Sequence, residues 1–232
     1  MKVVLAGAFG NLGADILKAL AGAGHEVVAA DMAVREIEGV SCETRVIDVT
    51  KPETLKGLCE GADAVVTTVG LTRTSATITN YDIDYQGNVN LLEEATRAGV
   101  KRFVYISVIK ADSDPNVPML HAKAMFEEKL KESGLTWVIH RPTGYFYDIA
   151  KVFMPMIEKG TVTLLGKQDV HANVIDTPDF ADFIVYHLTD ENKTYDVGGK
   201  ETYSYEEMAK MFFEAAGKPA VIKRAPVFLF DV

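Results

Sequence analysis

The chain alternates between two hydrophobic periods. Short apolar-rich runs at Lys2–Ala6, Val27–Ala30, Thr44–Val49, Ala64–Val69, Lys101–Ser107 and Thr136–His140 are separated by stretches whose apolar residues recur every three or four positions. Asn11–Ala23 carries Leu12, Ile16, Leu17 and Leu20 at that helical spacing, and Asp84–Ala98 carries Leu91, Leu92 and Ala95. Met119–Ser133 reads as another helix, and Thr50-x-x-Glu53 as a capping box opening a helix through Cys59. Strands of this kind alternating with helices predict a parallel sheet covered on both faces, in a doubly wound α/β fold of Rossmann type.

After Arg141-Pro142 the rhythm changes. Tyr145–Glu158 is rich in aromatic residues and Met and reads as partly helical. Short strands are expected near Thr161–Leu165, Ala172–Ile175 and Thr194–Val197, a helix from Thr177-Pro178-Asp179, and a second capping box at Ser204-x-x-Glu207. The expected organisation is a doubly wound core over 1–142 and a small α/β subdomain over 143–232, built on the same sheet. The apolar segment Pro226–Phe230 is expected to pack on its own chain.

Composition narrows the partners. The formal net charge is −9, and Lys and Arg occur singly or in pairs such as Lys101-Arg102, so a phosphate backbone would be repelled and nucleic acid is an unfavourable partner. Cys42 and Cys59 lie far apart without ligand spacing, which supports neither a disulfide framework nor a zinc site. No stretch approaches the roughly 18 apolar residues of a membrane span. A soluble, cytoplasmic protein acting on a small molecule is the expectation, with monomer and homodimer both open.

The chemistry concentrates at Gly7-Ala8-Phe9-Gly10-Asn11-Leu12-Gly13, between the first strand and the first helix. Glycines there permit a tight turn, backbone approach to a pyrophosphate, and close packing of helix on strand. The helix N-terminus then favours the phosphates. Asp31 ends the second strand, where a carboxylate accepts both hydroxyls of an adenosine ribose and repels a 2′-phosphate. NAD is therefore favoured, with NADP left open because Arg35 is near in sequence.

These glycines, together with Asp48-Val49, Thr67-Thr68-Val69-Gly70, Gly87-Asn88-Val89-Asn90-Leu91-Leu92, Lys101–Ser107 and His140-Arg141-Pro142-Thr143-Gly144, resemble the extended and atypical short-chain dehydrogenase/reductase superfamily, in its NmrA-like NAD(P)-binding branch. The resemblance implies that Gly7, Phe9, Gly10, Asn11, Leu12 and Gly13 cradle the pyrophosphate and that Asp31 holds the ribose. It further implies that Asp48 and Val49 border the adenine, and that Val69 and Gly70 line the cofactor ribose region. Ser107, Lys123 and Pro142, Thr143, Gly144 and Tyr145 would surround the nicotinamide. Active members pair Ser with Tyr-x-x-x-Lys; here the lysine matches Lys123, but the tyrosine position is Met119, which transfers no proton, and Asp84 stands where Asn is common.

Ser107, Lys123 and Tyr145 are thus the candidate catalytic residues: Ser107 to hydrogen-bond a carbonyl, Lys123 to hold the ribose or exchange a proton, Tyr145 to supply a phenol or stack. Lys123 can alternatively pair with Glu127 one helical turn on. His121 lies about 200° around the helix from Lys123 and reads as non-catalytic. Tyr147 follows the same segment and could fill the same role as Tyr145, whereas His171 and Asp176 could border the pocket but carry no spacing argument of their own. The expected function is an NAD(P)H-dependent reductase of a small apolar or aromatic acceptor. The alternatives are a non-catalytic redox sensor and a structural subunit with bound nucleotide.

Overall fold

A computed structural model describes residues 1–71, 75 and 77–226. The parallel sheet expected from the sequence is present: β1 (Lys2–Ala6), β2 (Glu26–Asp31), β3 (Glu43–Val46), β4 (Ala64–Thr67), β5 (Arg102–Ile106), β6 (Thr136–Pro142) and β9 (Lys193–Val197) form seven parallel strands in the order β3-β2-β1-β4-β5-β6-β9. The order reverses between β1 and β4, so their carboxyl ends diverge around a crevice. The central strands are buried, with Leu5, Val65, Phe103, Tyr105 and Ile139 inside. α1 (Asn11–Gly22) buries Leu12, Ile16, Leu17 and Leu20, as its period predicts.

α2 (Pro52–Leu55) is a single short turn capped by Lys51, not the capping-box helix expected from Thr50. The reason is local: the Thr50 hydroxyl donates to Asp48 Oδ1 at 2.6 Å instead of capping the helix. The helix expected from Asp84 starts earlier, as a π-helical segment at Tyr81–Gly87, and continues as α3 (Asn88–Arg97). α4 spans Pro118–Lys131.

The chain divides into two units, Met1–Pro142 with Thr177–Val197, and Thr143–Asp176 with the chain from Gly198 onward. Residues 177–197 therefore return to the first unit, whereas the sequence reading grouped them with the second. They supply α6 (Thr177–Tyr186), which packs on α1, and strand β9 beside β6.

The second unit contains α5 (Phe146–Glu158), β7 (Val162–Leu165), β8 (His171–Ala172), β10 (Tyr203–Ser204), α7 (Tyr205–Ala215) and β11 (Ile222–Ala225). Its own core is Phe153, Ile157, Val162, Met208 and Phe213. The capping box at Ser204 and Glu207 is present. The strand expected near Ala172–Ile175 is reduced to β8 and a single bridge from Tyr145 to Ile175. Residues 227–232, on which most of the expectation for the apolar C-terminal segment falls, lie outside the described residues.

Candidate functional site

β1 runs into the glycine turn, and Gly10 occupies the cap position of α1 without a side-chain bond. Gly7 has φ +80°, and a Cβ there would lie 2.4 Å from Thr68 Oγ1. A Cβ on Gly13 would lie 1.9 Å from the Gly7 carbonyl oxygen, so only glycine lets helix and turn meet. Thr68, just past β4, donates from Oγ1 to Gly7 O at 3.0 Å and fixes the turn from the other side of the crevice. The first intrahelical bond here runs from Ala14 N to Gly10 O at 3.0 Å. The N–H groups of Asn11, Leu12 and Gly13 belong to the turn that precedes such bonding, the usual seat of a phosphate. These residues fit a dinucleotide pyrophosphate.

Asp31 closes the other side. Its Oδ2 accepts from Phe9 N at 2.9 Å and its Oδ1 from Met32 N at 2.7 Å, while Arg35 Nη2 donates to Phe9 O at 3.0 Å. A carboxylate and a guanidinium thus both converge on Phe9, at an open cleft of about 880 Å³ lined by Phe9, Leu17, Arg35, Ile37 and Thr44 among others. Asp48 is engaged in its own turn, with Thr50 and with Lys51 Nζ at 2.8 Å. The Lys51 and Thr50 hydrogen bonds hold its carboxyl below the usual carboxylate range. Val49 is buried, and its carbonyl accepts from Asn90 Nδ2 at 2.8 Å.

At the carboxyl ends of β4 and β5 the π-helical segment and α4 bring two ionic groups together. Lys123 Nζ faces Asp84 Oδ1 at 3.1 Å and lies 3.4 Å from Ile106 O and 5.4 Å from the Tyr105 ring centre. Asp84 is wholly buried; its Oδ2 accepts from Asn80 Nδ2 at 2.9 Å and from Leu71 N at 3.2 Å. Gly70 passes against this pair, and a Cβ there would lie 2.9 Å from Asp84 Oδ1. Val69 precedes it, its N–H donating to Thr67 Oγ1 at 3.2 Å and its carbonyl accepting from Asn88 Nδ2 at 3.2 Å. The fully buried Tyr105 phenol is pushed well above its ordinary pKa by burial and then by the Asp84 and Glu127 carboxylates.

Glu127 is not the partner of Lys123, as one sequence reading had it. It is buried and accepts from Ser107 Oγ at 2.5 Å, from Arg141 Nε at 2.9 Å and from Arg141 Nη2 at 2.5 Å. Sequence reasoning missed Arg141 and the role of Glu127, because β5, α4 and β6 meet here from distant parts of the chain. The only signal in the sequence was their lying beside motif residues. Ser107, expected to hydrogen-bond a carbonyl, donates here to Glu127 Oε1.

His121 meets a different partner from Lys123, the Tyr81 hydroxyl, 3.0 Å from its Nδ1. Met119 is exposed at the start of α4. Pro142 ends β6, its carbonyl accepting from Ile109 N at 3.0 Å. The remaining candidates belong to the second unit. Thr143 and Gly144, the latter at φ +140°, lead to Tyr145 at the cap of α5. The Tyr145 ring stacks on Tyr147 at 5.2 Å, and burial, then Tyr147, push its phenol far above its ordinary pKa. His171 lies in β8.

A parallel sheet whose order reverses beside a glycine turn, with an acidic residue closing the next strand, defines a Rossmann-type dinucleotide-binding protein. The family model described as NAD(P)H-binding matches residues 7–191, and the chain belongs to that family. It is 27% identical over 234 residues to the photosystem II assembly factor Ycf39 of Synechocystis, covering 98% of this chain and 71% of that protein. Two solved structures share its fold. The Thermus thermophilus UDP-glucose 4-epimerase in complex with NAD has a TM-score of 0.81 at 22% identity, covering 97% of this chain and 86% of that one. The NADPH-dependent quinone oxidoreductase QOR2 of Escherichia coli, complexed with NADPH, has a TM-score of 0.80 at 18% identity, covering 98% and 80%. The resemblance to short-chain dehydrogenases/reductases holds, and NAD(P)H is the cofactor class.

Proposed function

We propose that this protein is an NAD(P)H-dependent reductase of a small electron-poor ring such as a quinone, with NADH the preferred form. The observation that carries this reading is the buried Asp84–Lys123 pair beside Ser107 at the sheet edge, with Met119 in place of a phenol. When bound, the reduced nicotinamide supplies a hydride. Asn11, Leu12 and Gly13 hold the pyrophosphate by their N–H groups, and Asp31 accepts from the adenosine ribose hydroxyls. Lys123 donates to a ribose hydroxyl or to an acceptor oxygen as charge builds there, and Asp84 keeps the ammonium in position.

Methionine offers no proton to the product. The acceptor is therefore one whose reduced anion persists until water protonates it, which a conjugated ring allows and a simple aliphatic alkoxide does not. The fold shared with a quinone oxidoreductase supports this acceptor class. A second reading, a cofactor-binding protein without turnover, is favoured by the same methionine and by the relationship to an assembly factor.

Anaerobic oxidation of reduced cofactor by a naphthoquinone separates the two. The reductase reading expects turnover, faster with NADH than with NADPH, and a loss of about 100-fold in kcat/KM in Lys123→Ala with cofactor binding retained. Cofactor binding without oxidation would establish the second reading.

A further inference from the structure

The contact between Ser107 and Glu127 has a fixed direction. Arg141 grips Glu127 with two bonds, Nε to Oε1 at 2.9 Å and Nη2 to Oε2 at 2.5 Å. A guanidinium is always protonated and offers only donors, so the group it grips in this way is an ionised carboxylate. A carboxylate has no proton to give, and the proton in the 2.5 Å contact is therefore that of Ser107. A hydroxyl owns one proton. Only lone pairs remain on Ser107 Oγ for any ligand.

The arrangement is sheltered. Glu127 is 1% exposed, and Asp112 Oδ2 stands 3.7 Å from Arg141 Nη2 on a more exposed side. Nearby, Lys123 Nζ lies 3.4 Å from the carbonyl of Ile106, the residue before Ser107. An ammonium is donor-only, so the sheet edge carries one group that only donates beside one that, in this state, only accepts.

We infer that Ser107 receives a hydrogen bond from the substrate, so that the substrate class is a ring carrying an amino or hydroxyl donor beside the oxygen that Lys123 holds. The inference rests on the reductase reading and sharpens it from quinones in general to donor-substituted quinones. Glu127 and Arg141 are positioning residues that act through Ser107 by consuming its proton. Glu127→Gln keeps the shape but removes the charge. Ser107 Oγ and Arg141 Nε share Oε1, so an amide cannot satisfy both arginine donors, and the serine proton loses its fixed carboxylate acceptor.

The test uses the full chain saturated with NAD⁺, so that binding is read without turnover. An aminonaphthoquinone and a methoxynaphthoquinone, substituted at the same ring carbon beside the carbonyl, are titrated by quenching of protein fluorescence. The wild type is expected to bind the amino compound about fivefold or more tightly, the worth of one hydrogen bond. Ser107→Ala is expected to lose that preference. Glu127→Gln is expected to weaken it, and to have no further effect on the preference in the Ser107→Ala background. Equal affinity for the two ligands in the wild type, failure of both to bind, or an unchanged preference in Ser107→Ala would overturn the inference, and the serine variant carries the test if Glu127→Gln fails to fold. A donor preference in these titrations with no oxidation of NADH would instead defeat the reductase reading and leave the polarity of Ser107 standing.

Discussion

At the scale of single residues, the site is governed by which charges are buried and what satisfies them. Asp84 has no exposed surface, and Lys123 opposite has little. Each is tolerated because the other is there, with Asn80 and Leu71 completing the carboxylate. Asp84→Asn preserves the shape and removes the charge opposite Lys123. It should destabilise the fold by about 3 kcal/mol in urea unfolding at neutral pH. Adding Lys123→Met should restore much of that loss, because no unpaired charge then remains buried. A single variant as stable as the wild type would contradict the burial argument. Glu127 shows the same logic with a different outcome, since its charge is answered by Arg141 and the remaining contact fixes the proton of Ser107.

At the scale of elements, β6 carries a second buried titratable group away from the site. His140 stacks on Tyr195 of β9 at 5.6 Å and meets Phe180 and Phe183 of α6 edge-on, and neither ring nitrogen has a hydrogen-bond partner. Burial, and then nearby His187, hold its pKa down to about 3 against an ordinary 6.5, with Asp190 opposing them. The unfolded chain therefore binds more protons between these values, and stability falls as pH falls from 6.5 toward 3. The slope is at most about 1.4 kcal/mol per pH unit. Between pH 6.5 and 4.5 the wild type should lose about 2 to 3 kcal/mol more than His140→Phe in urea unfolding. Equal losses would show that His140 does not titrate in this way.

The elements also show what sequence could and could not reveal. β1, α1 and the glycine turn were legible because their determinants are local: apolar runs, helical spacing and glycine positions. The Thr50 box failed because an adjacent carboxylate captured the hydroxyl. The π-helical start at Tyr81–Gly87 escaped because it accompanies tertiary partners, Asp84 with Lys123 and Asn88 with Thr67, which no periodicity records. β10 and β11 are too short to announce themselves and exist through β8 and β7. The cofactor end of the site lay in one contiguous motif, whereas the Ser107–Glu127–Arg141 cluster draws on three elements.

At the scale of the whole molecule, the first unit carries the glycine turn, Asp31, Ser107 and Lys123, and the family match covers most of the chain. Among the described residues no helix is long and apolar enough to cross a membrane. A cofactor that binds only the folded chain should stabilise it by about 2.7 kcal/mol at one hundred times its dissociation constant, but that result would follow from binding alone. The central claim is transfer of hydride, and it is tested most directly with NADH deuterated at one or the other face of its nicotinamide. The labelled cofactor is oxidised by a naphthoquinone in a single turnover, and the label left in the product is read by mass spectrometry. Complete loss of deuterium from one face and full retention from the other are expected. No oxidation by protein that has bound NADH, or loss from both faces alike, would contradict the claim.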